Sequence, residues 1–587
     1  MIDKIGTLRA STLSGGPHVF RGPQSKGAIP QEVQSKAASF DYAAKSMPLR
    51  SGCFPGLLRF RRTPPQVWLL GLIILGFAIR LGSIDFQSLW RDEVDAIRFG
   101  RDLSALLSNA LAGGGIGRLI DQLRQTLTQP GFNGPLYFIA LAQWAQVVGS
   151  TGFALRLFST LFGILAIPLI YVLGKRLQRA THFASASHLS LLAAWLVTIS
   201  PYFVWYSQEA KMYTEITALA LMAIYALRRA VDAPPEQRTW PWWLLVVAAT
   251  TLAMYSHIFA ALLIGVEVAL FLVWWPESRR HWQAAAIALA ALTLPYLPLA
   301  TWQIAQAFTP GSQGFTFYRF DEILRVMIAG FTNGILPFDY TLSTVGIRWD
   351  AGAIDPNLSP AYWGAWLLSV LVFVGALLWK DAPDRAGRIG LAAWTLLPAA
   401  AIAIISLNRP IFTDRYLIWI GPAVYLLAVL GIAELWKWHK VIGGTALAVV
   451  TCIALMSLYA QAITPFKADF RSAARYVEER YRNEAIVFQI PYGQYPFDYY
   501  FEPAFPIIEG PYTNHRNVDG SYQHDAASFD AVMSTLLSGH DVVWLVATEV
   551  EMWDDRYLLE DWLNRHARAV DRVDFTRVTV IRYELSP

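Results

Sequence analysis

From residue 66 onward the chain is dominated by long apolar runs separated by short polar breaks. The runs lie at 66–84, 154–174, 188–206, 212–228, 240–256, 258–275, 282–300, 361–379, 389–407, 411–431 and 441–460. Most approach the ~20 residues that a membrane-spanning helix needs, so the pattern predicts about eleven transmembrane helices. A further run, 135–149, is shorter. It makes a helix of about 22 Å, less than the ~30 Å of a hydrocarbon core. Residues 1–64 are rich in Ser, Gly, Pro and Lys without helical periodicity, which predicts a disordered cytoplasmic tail. No apolar core follows the first few residues, so no secretory signal peptide is expected. Residues 465–587 change character. Helical patterns such as FRSAARYVEERY, FDAVMSTLLSG and RYLLEDWLNRHA alternate with the strand-like AIVFQI, DVVWLVAT and VDRVDFTRVTVIRYEL, which predicts an α/β domain.

Basic residues set the expected orientation, because cytoplasmic loops collect Lys and Arg. If 135–149 does not cross and the N-terminus is cytoplasmic, five clusters fall inside. They are Lys175, Arg176 and Arg179; Arg228, Arg229 and Arg238; Arg279 and Arg280; Lys380, Arg385 and Arg388; Lys437 and Lys440. If 135–149 crosses, every one of them falls outside. The expectation is therefore a tail at 1–64, a membrane body at 65–464 and an extracytoplasmic domain at 465–587. Long outer loops then lie at 85–153 and 301–360, and loops of that length tend to be functional or disordered.

Composition agrees. Hydrophobic residues make up 55% of the chain and charged residues 16%, against about 25% charged in soluble domains. That excludes a soluble enzyme, a disordered chain and a nucleic-acid binder, and makes the lipid bilayer the principal partner. Residues 465–587 hold 12 Lys and Arg against 20 Asp and Glu, and the remainder of the chain is net +12. The two cysteines, Cys53 and Cys452, do not suggest a disulfide framework. No phosphate-cradling glycine motif, zinc spacing or serine-hydrolase elbow is present.

Charge near a bilayer is rare without function, and three clusters meet on one expected side. LWRDEVDAIRFG places Asp92, Glu93 and Asp95 after the first run. In a helix Asp92 and Asp95 share a face, while Glu93 turns about 100° away. SPYFVWYSQEAKMY holds Tyr206, Gln208, Glu209 and Lys211 among aromatic rings. NRPIFTDRYLIWIGP places Arg415 at the start of an apolar helix, where a guanidinium and free N–H groups suit an anion. The plain alternatives are a solvated loop helix, an aromatic belt and a snorkelling Arg. Arg156 and His257 sit at outer helix ends, where each also has a structural reading. Glu267 lies inside a run with no chemistry adjacent.

In order, SLWRDEVDA, NGPLYFIALAQW, FALRLFSTLFGILAIPLIYVLGKRL, ISPYFVWYSQEAKMYTEITALALMAIYAL and IFTDRYLIWIGPAVYLL resemble the GT-C superfamily of membrane glycosyltransferases. The branch is that of protein O-mannosyltransferases and the aminoarabinose transferase ArnT. The resemblance covers most of 85–431. It implies a GT-C fold and a polyprenyl-phosphate sugar donor used at the extracytoplasmic face. It implies a catalytic acid at Asp92 with Glu93 beside it, and aligns Gln208, Glu209 and Lys211 with one family segment and Arg415 with another. Relatives often carry His-Pro-Pro or Lys-Pro-Pro where this chain has Asn133, Gly134 and Pro135, so phosphate neutralisation would fall on Arg415, Lys211 or Arg156.

Such transfer needs a base for the acceptor hydroxyl and cations for the leaving phosphate. Asp92, Glu93 and Glu209 are the expected catalytic acids, and Arg415, Lys211 and Arg156 the phosphate ligands. Gln208, Tyr206, Asn133 and His257 are expected substrate contacts. One base without an evident carboxylate nucleophile implies inversion. No cofactor is demanded, although Asp92 and Glu209 offer a place for a shared divalent cation. The acceptor, whether protein hydroxyl, glycolipid or polysaccharide, is not encoded legibly. The rival readings are a flippase for lipid-linked sugar and a non-catalytic membrane scaffold.

Overall fold

The computed structural model describes residues 64–109, 117, 121, 135–177, 186–234, 236–307, 316–336, 363–379, 382–517 and 520–585. The expected N-terminal tail, apart from Pro64, and Asn133 lie outside these residues.

The apolar runs are all helical. In chain order the body comprises α1 (Pro65–Gly82), α2 (Arg91–Asn109), α3 (Pro135–Val148), α4 (Gly152–Leu177), α5 (Ala186–Ile199), α6 (Pro201–Ser207) and α7 (Tyr213–Asp232). It continues with α8 (Trp240–Ser256), α9 (Leu262–Val273), α10 (Trp282–Ala307), α11 (Phe320–Asn333), α12 (Trp363–Leu377), α13 (Ala382–Ser406), α14 (Gly421–Trp438) and α15 (Lys440–Ile463). Among the described residues, five helical stretches are long and apolar enough to cross a membrane, or seven if two bent pairs each count as one span. One bent pair modifies the sequence expectation. The segments 258–273 and 275–297 bend by 84° where an antiparallel hairpin of two spans was expected. Pro276 starts a short helical turn directly after α9, and Ser278 Oγ bonds back to the Phe271 carbonyl at 2.6 Å. The polar residues 276–281 are thus wound into short helical turns that carry the chain through the bend.

α14 is the axis of the body, buried continuously from Gly421 to Ala433. Glycines let α12 lie directly against it. A Cβ at Gly375 would sit 1.9 Å from the Leu427 carbonyl oxygen, and one at Gly431 would sit 2.0 Å from that of Leu371. Small residues are what allow membrane helices to approach backbone to backbone.

The break between α5 and α6 shapes the end of the bundle that carries residues 208–212. The axis turns by 57° there. Pro201 has no N–H to return to the Val197 carbonyl, and Ser200 caps the new helix through Phe203 N. Arg80 of α1, fully buried, supplies the missing donors. Its guanidinium reaches the Val197 and Thr198 carbonyls at 3.2 Å and Ser207 Oγ at 3.0 Å. The bend delivers residues 208–212 to the mouth of the helix bundle.

The C-terminal part is built on a five-stranded sheet of order β2–β1–β3–β5–β4, with β1 Ala485–Phe488, β2 Ile507–Glu509, β3 Val542–Ala547, β4 Ala567–Phe575 and β5 Val578–Leu585. β1 pairs parallel with β2 and β3, and β5 pairs antiparallel with β3 and β4. Alternate residues serve two cores. Val487, Val543 and Leu545 pack with α17 (Ala526–Leu536) and α18 (Leu558–His566), while Ile486, Phe488 and Trp544 pack with α16 (Phe470–Glu478). Asp469 and Asp525 cap α16 and α17. The expected helices and strands are all present. β2, three residues long, carried no legible signal.

This domain grips the loop between α1 and α2. Gln87 Nε2 donates to the Thr464 carbonyl at 2.7 Å, and its Oε1 accepts from Phe466 N and Lys467 N. Leu89 N donates to Tyr500 Oη at 2.7 Å, and Arg471 pairs with Asp85 at 2.9 Å.

Gly431→Val is expected to destabilise the body by roughly 1–3 kcal/mol through overpacking. Gly71→Ala, where a Cβ meets nothing within 4 Å, leaves melting in detergent unchanged. Equal melting of the two variants would contradict the close approach of α12 and α14.

Candidate active site

The site is built around an acid that does not face it. Glu93 and Asp92 are neighbours in the first turn of α2, and the helical twist sends them apart. Glu93 is fully buried, whereas the Asp92 side chain is 30% exposed. Both oxygens of Glu93 are doubly occupied. Oε1 accepts from Arg156 Nε at 2.8 Å and Ala210 N at 2.9 Å, and Oε2 accepts from Arg156 Nη2 and Lys467 Nζ, both at 2.8 Å. Burial alone would raise its pKa, but Arg156 and Lys467 outweigh that and hold it at about 2 instead of the ordinary 4.5.

Arg156 has no N–H left for a phosphate. Besides Glu93, it donates to the carbonyls of Ile84, Gln87 and Ser88 at 2.7–3.0 Å. The expectation of a phosphate ligand here is corrected to a structural one, because all five donors already hold the α1–α2 loop and Glu93. Glu93 likewise serves as the loop's buried anchor. Gln208 is also tied down, with Nε2 donating to the Arg80 carbonyl at 2.8 Å and to Ser83 Oγ at 3.0 Å. These bonds fix the end of α1.

The free chemistry lies one residue away. Asp92 Oδ2 is 3.2 Å from Arg415 Nη1. Arg415 belongs to a 3-10 turn, Asp414–Ile420, that leads into α14, and it lies over the Trp90 ring at 5.6 Å. Lys211, 5% exposed, sits over the Phe138 ring at 5.1 Å. Among the described residues it has no carboxylate within 4.0 Å. Burial pushes the Asp92 pKa up, yet Lys211, Arg415, Arg91 and Lys467 together hold it below its ordinary value. Asp92 is therefore a carboxylate at neutral pH.

Beside this pair opens a cavity of about 460 Å³. One wall carries Trp90, Trp205, Tyr206, Glu209, Asp414, Arg415 and Phe466. The other is mostly apolar, with Val326, Ala329, Gly330, Ile335 and Leu336 beside Asn333 and Gly334. That second wall is the C-terminal half of α11 and its exit, in the outer loop expected to be functional. Gly334 turns the chain there with φ +75°, and a Cβ would meet Gln461 Oε1 at 1.9 Å. Glu209 is 1% exposed. Its Oε1 lies 3.3 Å from Lys467 Nζ, and its Oε2 is buried without a hydrogen-bond partner. Burial raises its pKa. Lys467 is the strongest opposing influence, Glu93 adds to the rise, and the net shift is upward.

Tyr206 Oη approaches Asp414 Oδ2 at 3.4 Å. His257 is buried, its Nδ1 accepts from Phe259 N at 3.2 Å, and its ring lies 4.6 Å from that of Tyr416. It supports the residue after Arg415 and is not on the cavity wall. The structure thus brings together Asp92, Glu209, Lys211, Arg415 and Tyr206. Sequence reasoning missed Lys467, Trp90, Asp414, Arg80 and the α11 wall. Of these, only Asp414, adjacent to Arg415, carried a local signal. A shared divalent cation does not fit Asp92 and Glu209. Each already faces a cationic side chain, and no group of three or more His, Cys, Asp or Glu among the described residues is arranged to hold a metal.

Glu93→Gln strands Arg156 and Lys467 in a buried site, and breaking such a pair costs roughly 3–5 kcal/mol. Because the folded pKa of Glu93 lies below the unfolded one, its contribution is fully present above pH 4.5 and is lost as pH falls toward about 2. Unfolding of the detergent-solubilised protein should show the wild-type advantage over Glu93→Gln shrinking across that window. A constant difference would refute the assignment.

Residues 130–303 match the family profile described as dolichyl-phosphate-mannose-protein mannosyltransferase. The segment includes Arg156, Gln208, Glu209 and Lys211, and excludes Asp92, Arg415 and Lys467. A search of curated proteins gives no match. Among solved structures, the apo oligosaccharyltransferase of Archaeoglobus fulgidus is similar, with TM-score 0.50, 12% identity, 86% of this chain and 72% of that chain covered. ArnT from Cupriavidus metallidurans bound to undecaprenyl phosphate gives TM-score 0.49, 12% identity, 88% of this chain and 97% of that chain covered. Residues 130–303 thus carry the sequence signature of that mannosyltransferase family, within a multi-pass helical body whose fold is similar to that of the archaeal oligosaccharyltransferase.

Proposed function

We propose that the protein moves a sugar from a polyprenyl-phosphate donor to an acceptor hydroxyl at the extracytoplasmic face, with inversion. The observation that carries this reading is the Asp92–Arg415 pair, 3.2 Å apart, beside a cavity with one polar and one largely apolar wall. A lipid-linked sugar has that duality. The matched family's description names a polyprenyl-type donor, dolichyl-phosphate-mannose, and the Lys and Arg clusters between the helices support an outward-facing site.

The pair has a built-in order of events. Before the donor binds, Arg415 neutralises Asp92. An arriving phosphate competes for Arg415, with Lys211 as the second cation. Asp92 loses part of its stabilisation, and its pKa rises toward the range useful for a general base. It takes the acceptor hydroxyl proton as the acceptor oxygen bonds to the anomeric carbon. The bond from that carbon to the phosphate oxygen breaks, and its electron pair leaves with the polyprenyl phosphate, held by Arg415. Glu93 is saturated by four donors and Glu209 is tied through Oε1 to Lys467, so Asp92 alone is assigned as the base, a reading that supports direct displacement over a covalent intermediate.

Asp92→Asn should lower transfer by about 10²–10⁴-fold while the protein still binds undecaprenyl phosphate in nanodiscs. Arg415→Ala should weaken that binding by roughly tenfold or more, as expected for losing a charge-assisted contact. A fully active Asp92→Asn protein, or wild-type lipid affinity in Arg415→Ala, would overturn the respective assignment.

A further inference from the structure

Lys467 belongs neither to the helix bundle nor to the sheet. It lies in the short junction between α15, which ends at Ile463, and α16, which begins at Phe470. Its ammonium is nonetheless at the centre of the site, 2.8 Å from Glu93 Oε2 and 3.3 Å from Glu209 Oε1. The faces of Trp90 and Trp205 close around it, each centroid 5.4 Å away, within cation–π range. Its backbone is fixed independently through Lys467 N and Phe466 N on Gln87.

Resting on the transfer reading above, we propose that Lys467 is a positioning residue that fixes Glu209 as the hydroxyl-accepting group of the donor's sugar subsite. Lys467 takes one oxygen of Glu209, a residue that lines the cavity, and leaves the other, Oε2, buried and without a hydrogen-bond partner. A buried acceptor without a donor is a costly arrangement that a ligand hydroxyl would relieve. Arg415 and Lys211 suit the phosphate, so the groups left to meet Glu209 are the sugar's own O–H donors. The subsite's carboxylates also define its ligand. Glu209 and Asp414 share one wall with Arg415; with Arg415 committed to the phosphate, the carboxylates that remain favour a neutral or amino sugar over a uronic acid. Because Lys467 is held by the Gln87 clamp, the subsite is complete only while the soluble domain is docked on the α1–α2 loop.

The test uses the full-length protein in nanodiscs. Its probes are undecaprenyl phosphate and undecaprenyl phosphate carrying mannose, glucose, galactose or glucuronic acid. At least one neutral sugar should tighten binding over the bare lipid by about tenfold, equivalent to one good hydrogen-bonded contact, and glucuronic acid should not. Lys467→Met and Glu209→Gln should each remove that increment and leave bare-lipid affinity within about twofold. The double variant should lose no more than either single, since both remove one function. Lys467→Arg, which restores the cation, should recover most of the increment and controls for folding. Additive losses, an equal loss for the bare lipid, or no increment with any neutral sugar would overturn the proposal. Wild-type protein that fails to bind undecaprenyl phosphate at all would instead overturn the transfer reading itself.

Discussion

The carboxylate of Glu93 is the constraint on which the rest of the site depends. Four N–H donors from three separate parts of the chain converge on it: two from Arg156 at the start of α4, one from the Ala210 amide after the α5–α6 break, and one from Lys467 at the junction into the soluble domain. Each of those parts also contributes to the site. Ala210 lies between Glu209 and Lys211, Lys467 steadies Glu209, and Arg156 holds the loop from which α2 starts. A buried carboxylate so saturated stays ionised and stationary, which suits an anchor and disqualifies it as a base. Its neighbour Asp92, turned about 100° along the helix, is exposed enough to exchange partners.

The charges form two layers. The inner layer, Glu93 with Arg156, is internally neutral and is joined to the outer one through Lys467, which bonds Glu93 Oε2 at 2.8 Å. The outer layer holds Asp92 with Arg415, Glu209 with Lys467, and Lys211 over an aromatic ring. Desolvation makes such charges costly unless paired, so an arriving anion meets groups whose partners must be exchanged. Under the proposed transfer, that arrangement would link donor binding to the release of Asp92. Arg80 plays the corresponding part below the site. By satisfying the Val197 carbonyl that Pro201 leaves free and the Thr198 carbonyl at the break, it lets the helix break where the Glu209 turn has to emerge.

Local chemistry in the sequence was a good guide to the helices and to the pairing of distant segments, and a poor guide to roles within them. Apolar runs mark helices because lipid leaves the backbone no other partner, and the strand-like alternation of AIVFQI and DVVWLVAT reflects a sheet covered on both faces. Asp92 and Arg415 were legible because charges beside apolar helices are conspicuous. Arg156 was conspicuous for the same reason, yet its five donors are taken by backbone and Glu93, a fact of tertiary contact. Lys467 was invisible. Its spacing resembles any polar linker, and its partners lie more than 250 residues away in the chain. The 84° bend after α9 escaped notice because hydropathy reports burial in lipid and carries no direction.

The central claim is that these outer charges transfer a sugar from a lipid phosphate. Mass spectrometry of glycoconjugates and polyprenyl lipids from cells lacking the protein, compared with cells carrying it, tests this most directly. The account predicts that one sugar disappears from an outward-facing glycoconjugate, that its polyprenyl-phosphate form accumulates, and that both changes reverse when the protein is restored. Unchanged glycoconjugates together with unchanged lipid-linked sugars would contradict it.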